Sequence, residues 1–106
     1  MERVCFLLKV KSDMIDEYKR IHKKAWPEML ELLKKSGFHN YSLFIREDGL
    51  LVGYFETMDW GDTLKTIAAS DINTRWQKLT SPFFETGSGD PAAGQLMRLE
   101  EVFHNE

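Results

Sequence analysis

The spacing of hydrophobic positions changes along the chain, from strand-like runs to a helical repeat and back to strand-like runs. Residues 3–10 form a short apolar run with charge at each end, which predicts a strand buried on both faces. From Met14 to about residue 35 the apolar side chains recur near a period of 3.6, which predicts an amphipathic helix. Ser12 or Asp13 is the predicted N-cap, and Gly37 is placed to end the helix.

Pro27 interrupts this helical pattern. A proline inside a helix cannot donate its backbone hydrogen bond, and its ring clashes with the carbonyl four residues earlier. We therefore expect a kink near residues 23–26, or two helices with Pro27 in the first turn of the second.

Two further apolar runs, 39–45 and 50–56, flank Asp48 and Gly49, a strong signal for a tight hairpin turn. The two runs should pair as antiparallel strands. Alternation along the first run places one group of side chains on a shared face: His39, Tyr41, Leu43 and Ile45.

The remainder of the chain predicts two short helices, a loop and a last strand. Asp59 and Ser70 can cap the helices, and Pro82 ends the second one. Residues 85–94 are a loop by composition, either a lid or a dimer-contact arm, and residues 96–103 suggest the strand.

The resulting order is β-α-β-β-α-β, which is the ferredoxin-like arrangement of an α+β domain. Helices would cover one face of its antiparallel sheet. Because the first strand is apolar on both sides, we expect the other face to be covered by a second copy of the chain.

Length and charge narrow the possible functions. The chain has 106 residues, which predicts a single domain spanning 1–106. Its 14 basic and 17 acidic side chains give a formal net charge of −3 without a basic cluster, which argues against nucleic acid as a partner. There is no run long enough for a membrane span and no signal-peptide pattern, so we expect a cytosolic protein.

The candidate chemistry centres on His22, which lies in the predicted helix one turn after Tyr18 and one turn before Trp26. An imidazole titrates near neutral pH and therefore suits proton transfer. From spacing alone, the stronger interpretation is a helix histidine satisfied by water or by the carbonyl of Lys23, which loses its usual partner at Pro27. The rings of Tyr18 and Tyr41 could line a pocket, with the boundary residue whose hydroxyl lies in water as the stronger interpretation of each, and Trp76 is by default a core residue.

The sequence offers no motif for a metal or an organic cofactor. The three histidines are widely spaced and there is one cysteine, so a metal site is not expected. The glycines of residues 87–92 neither follow a predicted strand nor open a helix, so a dinucleotide fingerprint is not expected either. Aromatic rings with a few polar groups would suit a small polyhydroxylated ligand.

Three segments in this order, EYKRIHKKAWPEM, HNYSLF and RWQ, together with the closing EVFH, resemble the L-rhamnose mutarotase family over nearly the whole chain. The resemblance implies a cytosolic homodimer, a dimeric α/β barrel, that interconverts the α and β anomers of L-rhamnose without metal or cofactor. By matched position it implies that His22 is the proton donor. It also implies that Tyr18, Tyr41 and Trp76 contact the sugar. Members often carry a second tryptophan after the one matching Trp76, whereas this chain has Gln77, so its sugar preference is open.

Two other functions fit the same domain. Small dimeric α/β barrels also include cofactor-independent monooxygenases and haem-degrading proteins, an analogy of fold only. A non-catalytic sugar or metabolite sensor would use the same pocket without changing the rate of anomer exchange.

Overall fold

The computed structural model describes residues 1–85 and 97–106. In these residues one antiparallel sheet of four strands packs against four α-helices, an α+β fold. The strands are β1 (Glu2–Lys9), β2 (His39–Ile45), β3 (Leu50–Thr57) and β4 (Met97–Leu99). The helices are α1 (Ile15–Lys23), α2 (Pro27–Ser36), α3 (Trp60–Ala68) and α4 (Asp71–Thr80), with 3₁₀ turns at Ser12–Met14 and Ser81–Phe83.

The strands lie side by side in the order β2-β3-β1-β4, and each neighbouring pair is antiparallel. The element order is the predicted β-α-β-β-α-β, with each helical region divided in two. Along β3 fully buried positions alternate with less buried ones, which shows that one face of the sheet is covered by the helices.

Pro27 divides the first helical region as the sequence predicted. It occupies the first turn of α2, where its missing N–H would have no helical partner, and Trp26 before it has the extended backbone that a following proline favours. Gly37 ends α2 in the left-handed conformation, with φ at 103°. The predicted side-chain caps of α3 and α4 are also present, since Asp59 and Ser70 accept from the backbone N–H groups of Asp62 and Asn73.

The predicted cap of the first helix is wrong. Neither Ser12 nor Asp13 caps α1, because a 3₁₀ turn precedes it and Met14 is its N-cap residue, without a side-chain hydrogen bond. The Asp48–Gly49 turn joins β2 to β3 as expected, with Gly49 at a φ of 97°.

His39 lies on the face opposite to the one predicted for it. A bulge between His39 and Ser42, with Asn40 at a φ of 50°, places His39 directly opposite Glu56. Directly paired residues project to the same side of a sheet, so His39 and Glu56 lie on the side opposite the helices. Tyr41 lies on the side that the helices cover. Asn40 donates to the Glu56 carboxylate at 2.8 Å, which holds the bulge in place.

The last strand is shorter than predicted. β4 pairs with β1 only through Met97–Leu99, and residues 100–103 are exposed without regular structure. An ion pair between Arg3 and Glu101 holds this tail near β1. Leu96, and the loop predicted at 85–94 apart from Glu85, lie outside the described residues.

The core lies between the helices and the covered face of the sheet. Phe6 of β1 is 2% exposed and lies directly over Gly53 of β3, where a Cβ would come within 2.1 Å of the Phe6 ring. The absence of a side chain at Gly53 lets that ring sit close to the sheet, 6.5 Å from the ring of Tyr41. The packing of Phe6 therefore helps to set the position of Tyr41.

The other side of the sheet carries no helix in the described part of the chain, and we call it the open face. Phe44 on this face is 66% exposed and Met97 is 62% exposed. Its apolar side chains come from every strand: Cys5, Leu7, Phe44, Val52, Tyr54, Met97 and Leu99. Residues 1–85 and 97–106 of one chain thus do not provide the burial of β1 on both sides that the sequence predicts.

Candidate functional site

A cavity of about 250 Å³ lies between the helices and the covered face of the sheet. That volume is just below the range of ligand pockets in general, which suits a small ligand. Most of its wall is apolar, and the side chains that carry polar atoms come from α1, β2 and α4: Tyr18, His22, Tyr41, Asn73, Trp76, Gln77 and Thr80.

All five residues singled out in the sequence line this cavity. Tyr18 and His22 come from α1, Tyr41 from β2, and Trp76 and Gln77 from α4. Three elements that are distant in sequence therefore bring them together. The aromatic residues among them are therefore not core side chains alone, because they border a cavity. Trp76 does both, since it also belongs to the core cluster.

His22 lies in the last turn of α1 and is half-buried. Its Nδ1 lies 2.8 Å from the backbone carbonyl oxygen of Tyr18, one helical turn earlier. A carbonyl only accepts hydrogen bonds, so Nδ1 carries the proton and donates it, which leaves Nε2 as the ring nitrogen for chemistry. The ring packs on the ring of Tyr18, with centroids 4.1 Å apart, and against the edge of Trp76 at 5.6 Å.

Burial lowers the pKa of His22 below its ordinary value of 6.5, and the hydrogen bond to the Tyr18 carbonyl opposes part of that shift. The imidazolium is therefore a stronger acid than a histidine in water. A stronger acid gives up its proton more readily to a weakly basic oxygen, such as the ring oxygen of a sugar.

The two tyrosines keep their phenol protons at neutral pH. Burial raises the pKa of Tyr18, with a smaller contribution from Tyr41, and burial alone raises the pKa of Tyr41 to about 12. A protonated phenol donates and accepts hydrogen bonds but does not act as a base near pH 7. Stacking of Phe38 on Tyr41, at 5.3 Å between ring centroids, fixes the Tyr41 ring.

Trp76 is positioned by Trp26. Trp26 lies beyond the end of α1, because Pro27 begins a new helix, and its ring meets that of Trp76 edge-on at 5.2 Å. The guanidinium of Arg75 lies 6.0 Å from the Trp26 ring centroid, within reach of a cation–π contact. Trp26 thus supports the cavity wall from behind, whereas Trp76 forms part of the wall itself.

The sequence interpretation missed two polar residues on the wall, Asn73 and Thr80, each 2% exposed. With Trp76 and Gln77 they form the series i, i+3, i+4 and i+7, which is one face of a helix. This helical spacing was the sequence signal that could have identified Asn73 and Thr80 as cavity residues.

Within residues 1–85 and 97–106, acidic, histidine and cysteine side chains form no group of three or more that could hold a metal ion. The same residues contain no helix with the length and apolarity needed to cross a bilayer.

Comparisons with known proteins give one consistent result. The family model described as L-rhamnose mutarotase matches residues 3–105. An L-rhamnose mutarotase from Oceanobacillus iheyensis is 39% identical, and one from Bacillus subtilis is 37% identical, each alignment covering 98% of both chains. A crystal structure of an L-rhamnose mutarotase from Formosa agariphila superposes with a TM-score of 0.82 at 28% identity, covering 100% of both chains.

These matches extend over the full span of the resemblance seen in EYKRIHKKAWPEM, HNYSLF and RWQ, and they confirm it. The family match identifies the enzyme class as an isomerase. The chain belongs to the L-rhamnose mutarotase family.

Proposed function

We propose that this mutarotase binds L-rhamnose in the cavity and that His22 is the proton donor that opens the sugar ring. The observation that carries the proposal is the single hydrogen-bonded orientation of His22 on the cavity wall. With Nδ1 held by the Tyr18 carbonyl at 2.8 Å, Nε2 is the nitrogen that exchanges a proton with the sugar. A catalytic group held by its own helix needs no rearrangement when the substrate binds.

The proposed opening step moves two protons. Nε2–H of the imidazolium gives its proton to the ring oxygen while the bond from that oxygen to the anomeric carbon breaks, and its electron pair stays on the oxygen. The anomeric hydroxyl loses its proton, and its oxygen becomes the aldehyde oxygen. Rotation about the adjacent carbon–carbon bond presents the other face, and the reverse steps close the ring to the other anomer, returning the first proton to His22.

Water is the proposed acceptor of the anomeric proton. Among the described residues that line the cavity there is no aspartate or glutamate, so a pocket carboxylate is not available from them. The raised pKa values of Tyr18 and Tyr41 make both phenols hydrogen-bonding groups rather than bases. A water bound at the polar edge of the sugar would accept this proton.

The proposed sugar contacts divide by chemistry. The indole of Trp76 would lie against the apolar face of the 6-deoxy sugar, and the hydroxyls of Tyr18 and Tyr41 would hydrogen-bond to the sugar hydroxyls. Gln77 would add an amide in place of a second tryptophan ring. An amide discriminates by hydrogen bonding, which rejects analogues lacking the matching hydroxyl more strongly than an apolar wall does.

A homodimer completes the proposal. The chain would be a ferredoxin-like subunit that pairs through its open face into a dimeric α/β barrel, in the cytosol. An apolar sheet face with Phe44 and Met97 more than half exposed supports this, because such a surface is seldom left in contact with water. Pairing would also bury the second side of β1, whose sequence is apolar on both sides.

Saturation-difference NMR on the two anomers of L-rhamnose tests the proposed function directly. With a trace amount of enzyme, irradiation of one anomeric proton should reduce the signal of the other anomer far more than in buffer. A panel of other deoxy sugars then gives the substrate range. Binding of one sugar per site with exchange no faster than in buffer would instead identify a sensor and contradict the proposal.

A further inference from the structure

Asn73 is a buried polar residue on the cavity wall that none of the expected sugar contacts includes. It lies in the first turn of α4 and is 2% exposed. A buried amide destabilises a protein unless its polar atoms are hydrogen-bonded, so its presence at this position requires a physical reason. One hydrogen-bond partner of its side chain lies one helical turn further along α4, at Gln77.

The side-chain nitrogen Nε2 of Gln77 donates to Oδ1 of Asn73 at 3.1 Å. A glutamine amide has a donating end and an accepting end, and without a fixed partner it turns over readily about its last carbon–carbon bond. Because Asn73 offers its carbonyl oxygen, the donating end of Gln77 is directed towards Asn73. The accepting end, Oε1, is then left for a ligand in the cavity that Gln77 lines.

We propose that Asn73 is a positioning residue that orients the Gln77 amide, so that Oε1 accepts a hydrogen bond from one hydroxyl of the bound sugar. The proposal rests on the proposed function, because it concerns the same cavity and the same substrate. It assigns specificity to a pair of amides on α4, whereas proton transfer is assigned to α1.

The proposal separates binding from chemistry. Asn73 and Gln77 lie on α4, and the proton donor His22 is held by the Tyr18 carbonyl within α1. Loss of the Asn73 carbonyl should therefore raise KM with kcat nearly unchanged. A hydrogen bond of this kind contributes modestly in net terms, so the expected rise in KM is about three- to tenfold.

The test is a double-mutant cycle measured by anomer exchange. Asn73→Leu keeps the side-chain volume and removes the acceptor, and Gln77→Leu removes the amide that Asn73 is proposed to orient. Asn73→Leu should raise KM in the natural background and leave it unchanged in the Gln77→Leu background. Asn73→Asp, which keeps an acceptor oxygen at the same reach, should restore KM to within about twofold of the natural protein.

A merely structural role for Asn73 predicts a different result. Asn73→Leu would then change KM equally in both backgrounds, and Asn73→Asp would not restore it; either outcome overturns the proposal. If Asn73→Leu does not fold, as judged by circular dichroism, Asn73→Ala takes its place in the same cycle. Failure of the proposed function is distinguishable, because the natural protein itself would then show no accelerated exchange.

Discussion

Replacing His22 with asparagine tests the proton-transfer step with little disturbance to the fold. The Nδ2 of an asparagine lies close to the position of a histidine Nδ1, so it can still donate to the Tyr18 carbonyl, which His22 contacts at 2.8 Å. The substitution removes Nε2, the atom assigned to the sugar, and with it the titratable group.

The expected size of the effect follows from what is removed and what is kept. Positioned general acids contribute roughly 10²–10⁴-fold to rate, so kcat for anomer exchange should fall by about that factor, or about 2.7–5.5 kcal/mol in the barrier. The retained hydrogen bond keeps the helix turn, while the ring contacts with Tyr18 and Trp76 at 4.1 and 5.6 Å are lost. Loss of aromatic contacts of this kind destabilises a fold by about 0.5–1.5 kcal/mol for each pair.

Two measurements separate these effects. Saturation-difference NMR gives the exchange rate at saturating L-rhamnose, and thermal unfolding gives the stability of the same preparation. His39→Asn is the matched control, because that histidine lies on the open face, away from the cavity, and should leave the exchange rate unchanged.

An exchange rate for His22→Asn within about threefold of the natural protein, with the fold intact, would refute the assignment of His22 as the proton donor. An equal loss of rate in His39→Asn would also refute it, because the effect would then not be specific to the cavity. If His22→Asn is partly unfolded at the assay temperature, the exchange rate is measured again below the melting temperature of the variant, so that loss of the proton donor is separated from loss of folded protein.

Three further predictions concern packing, pH and assembly. Gly53→Ala should destabilise the fold by about 1–3 kcal/mol in urea unfolding, because the added Cβ would lie 2.1 Å from the ring of Phe6. The contribution of His22 to stability should be fully present above pH 6.5 and should be lost as the pH falls through its lowered pKa, because the unfolded chain binds the proton more tightly than the folded one. Urea unfolding at several pH values should therefore show a smaller loss of stability at low pH in His22→Asn than in the natural protein. Phe44→Arg should give a monomer in sedimentation velocity, whereas Leu79→Arg, 44% exposed on the outside of α4, should leave the dimer intact.

Each of these has an outcome that contradicts it. Gly53→Ala with natural stability would mean that the Phe6 ring can move without loss of packing. An identical pH dependence in the natural protein and in His22→Asn would assign the titration to another group. A natural protein that sediments as a monomer at all concentrations would remove the proposed homodimer.

Local chemistry made several features of the fold predictable from sequence. Pro27 cannot lie in the middle of a helix, so the break between α1 and α2 follows from one residue. The Asp48–Gly49 turn and the caps at Asp59 and Ser70 depend on contacts within three residues, which a single sequence displays. The predictions that depended on neighbouring residues alone were therefore mostly right.

Features set by contacts between distant segments were not predictable in the same way. The bulge that turns His39 away from Tyr41 depends on a hydrogen bond from Asn40 to Glu56 on another strand. Strict alternation, applied without that contact, gave His39 the wrong face. β4 likewise pairs with β1 only through Met97–Leu99, although β1 continues to Glu2, so the hydrophobic pattern of residues 96–103 did not give the length of the strand.

The candidate site was predictable only in part. The helical spacing of Tyr18 and His22 placed them together on α1, but their meeting with Trp76 depends on how α1 and α4 pack over the sheet. The sequence offered Tyr41 and Trp76 as pocket candidates beside simpler interpretations, and the family resemblance assigned them and Gln77 to the site by position. Asn73 was missed although its helical spacing to Trp76 and Gln77 was available, because the hydrogen bond that gives it a role is displayed only by the structure.

The contact between His22 and the Tyr18 carbonyl joins two residues of one helical turn. One hydrogen bond that orients the proposed proton donor is thus encoded within five consecutive residues, whereas Trp76 of α4 contacts the edge of the same ring. Under the proposed mechanism, substitutions at Asn73 or Gln77 on α4 would alter which sugar is accepted while His22 and its hydrogen bond on α1 stay the same. Substrate range would then diverge among relatives without each change having to rebuild the proposed proton donor.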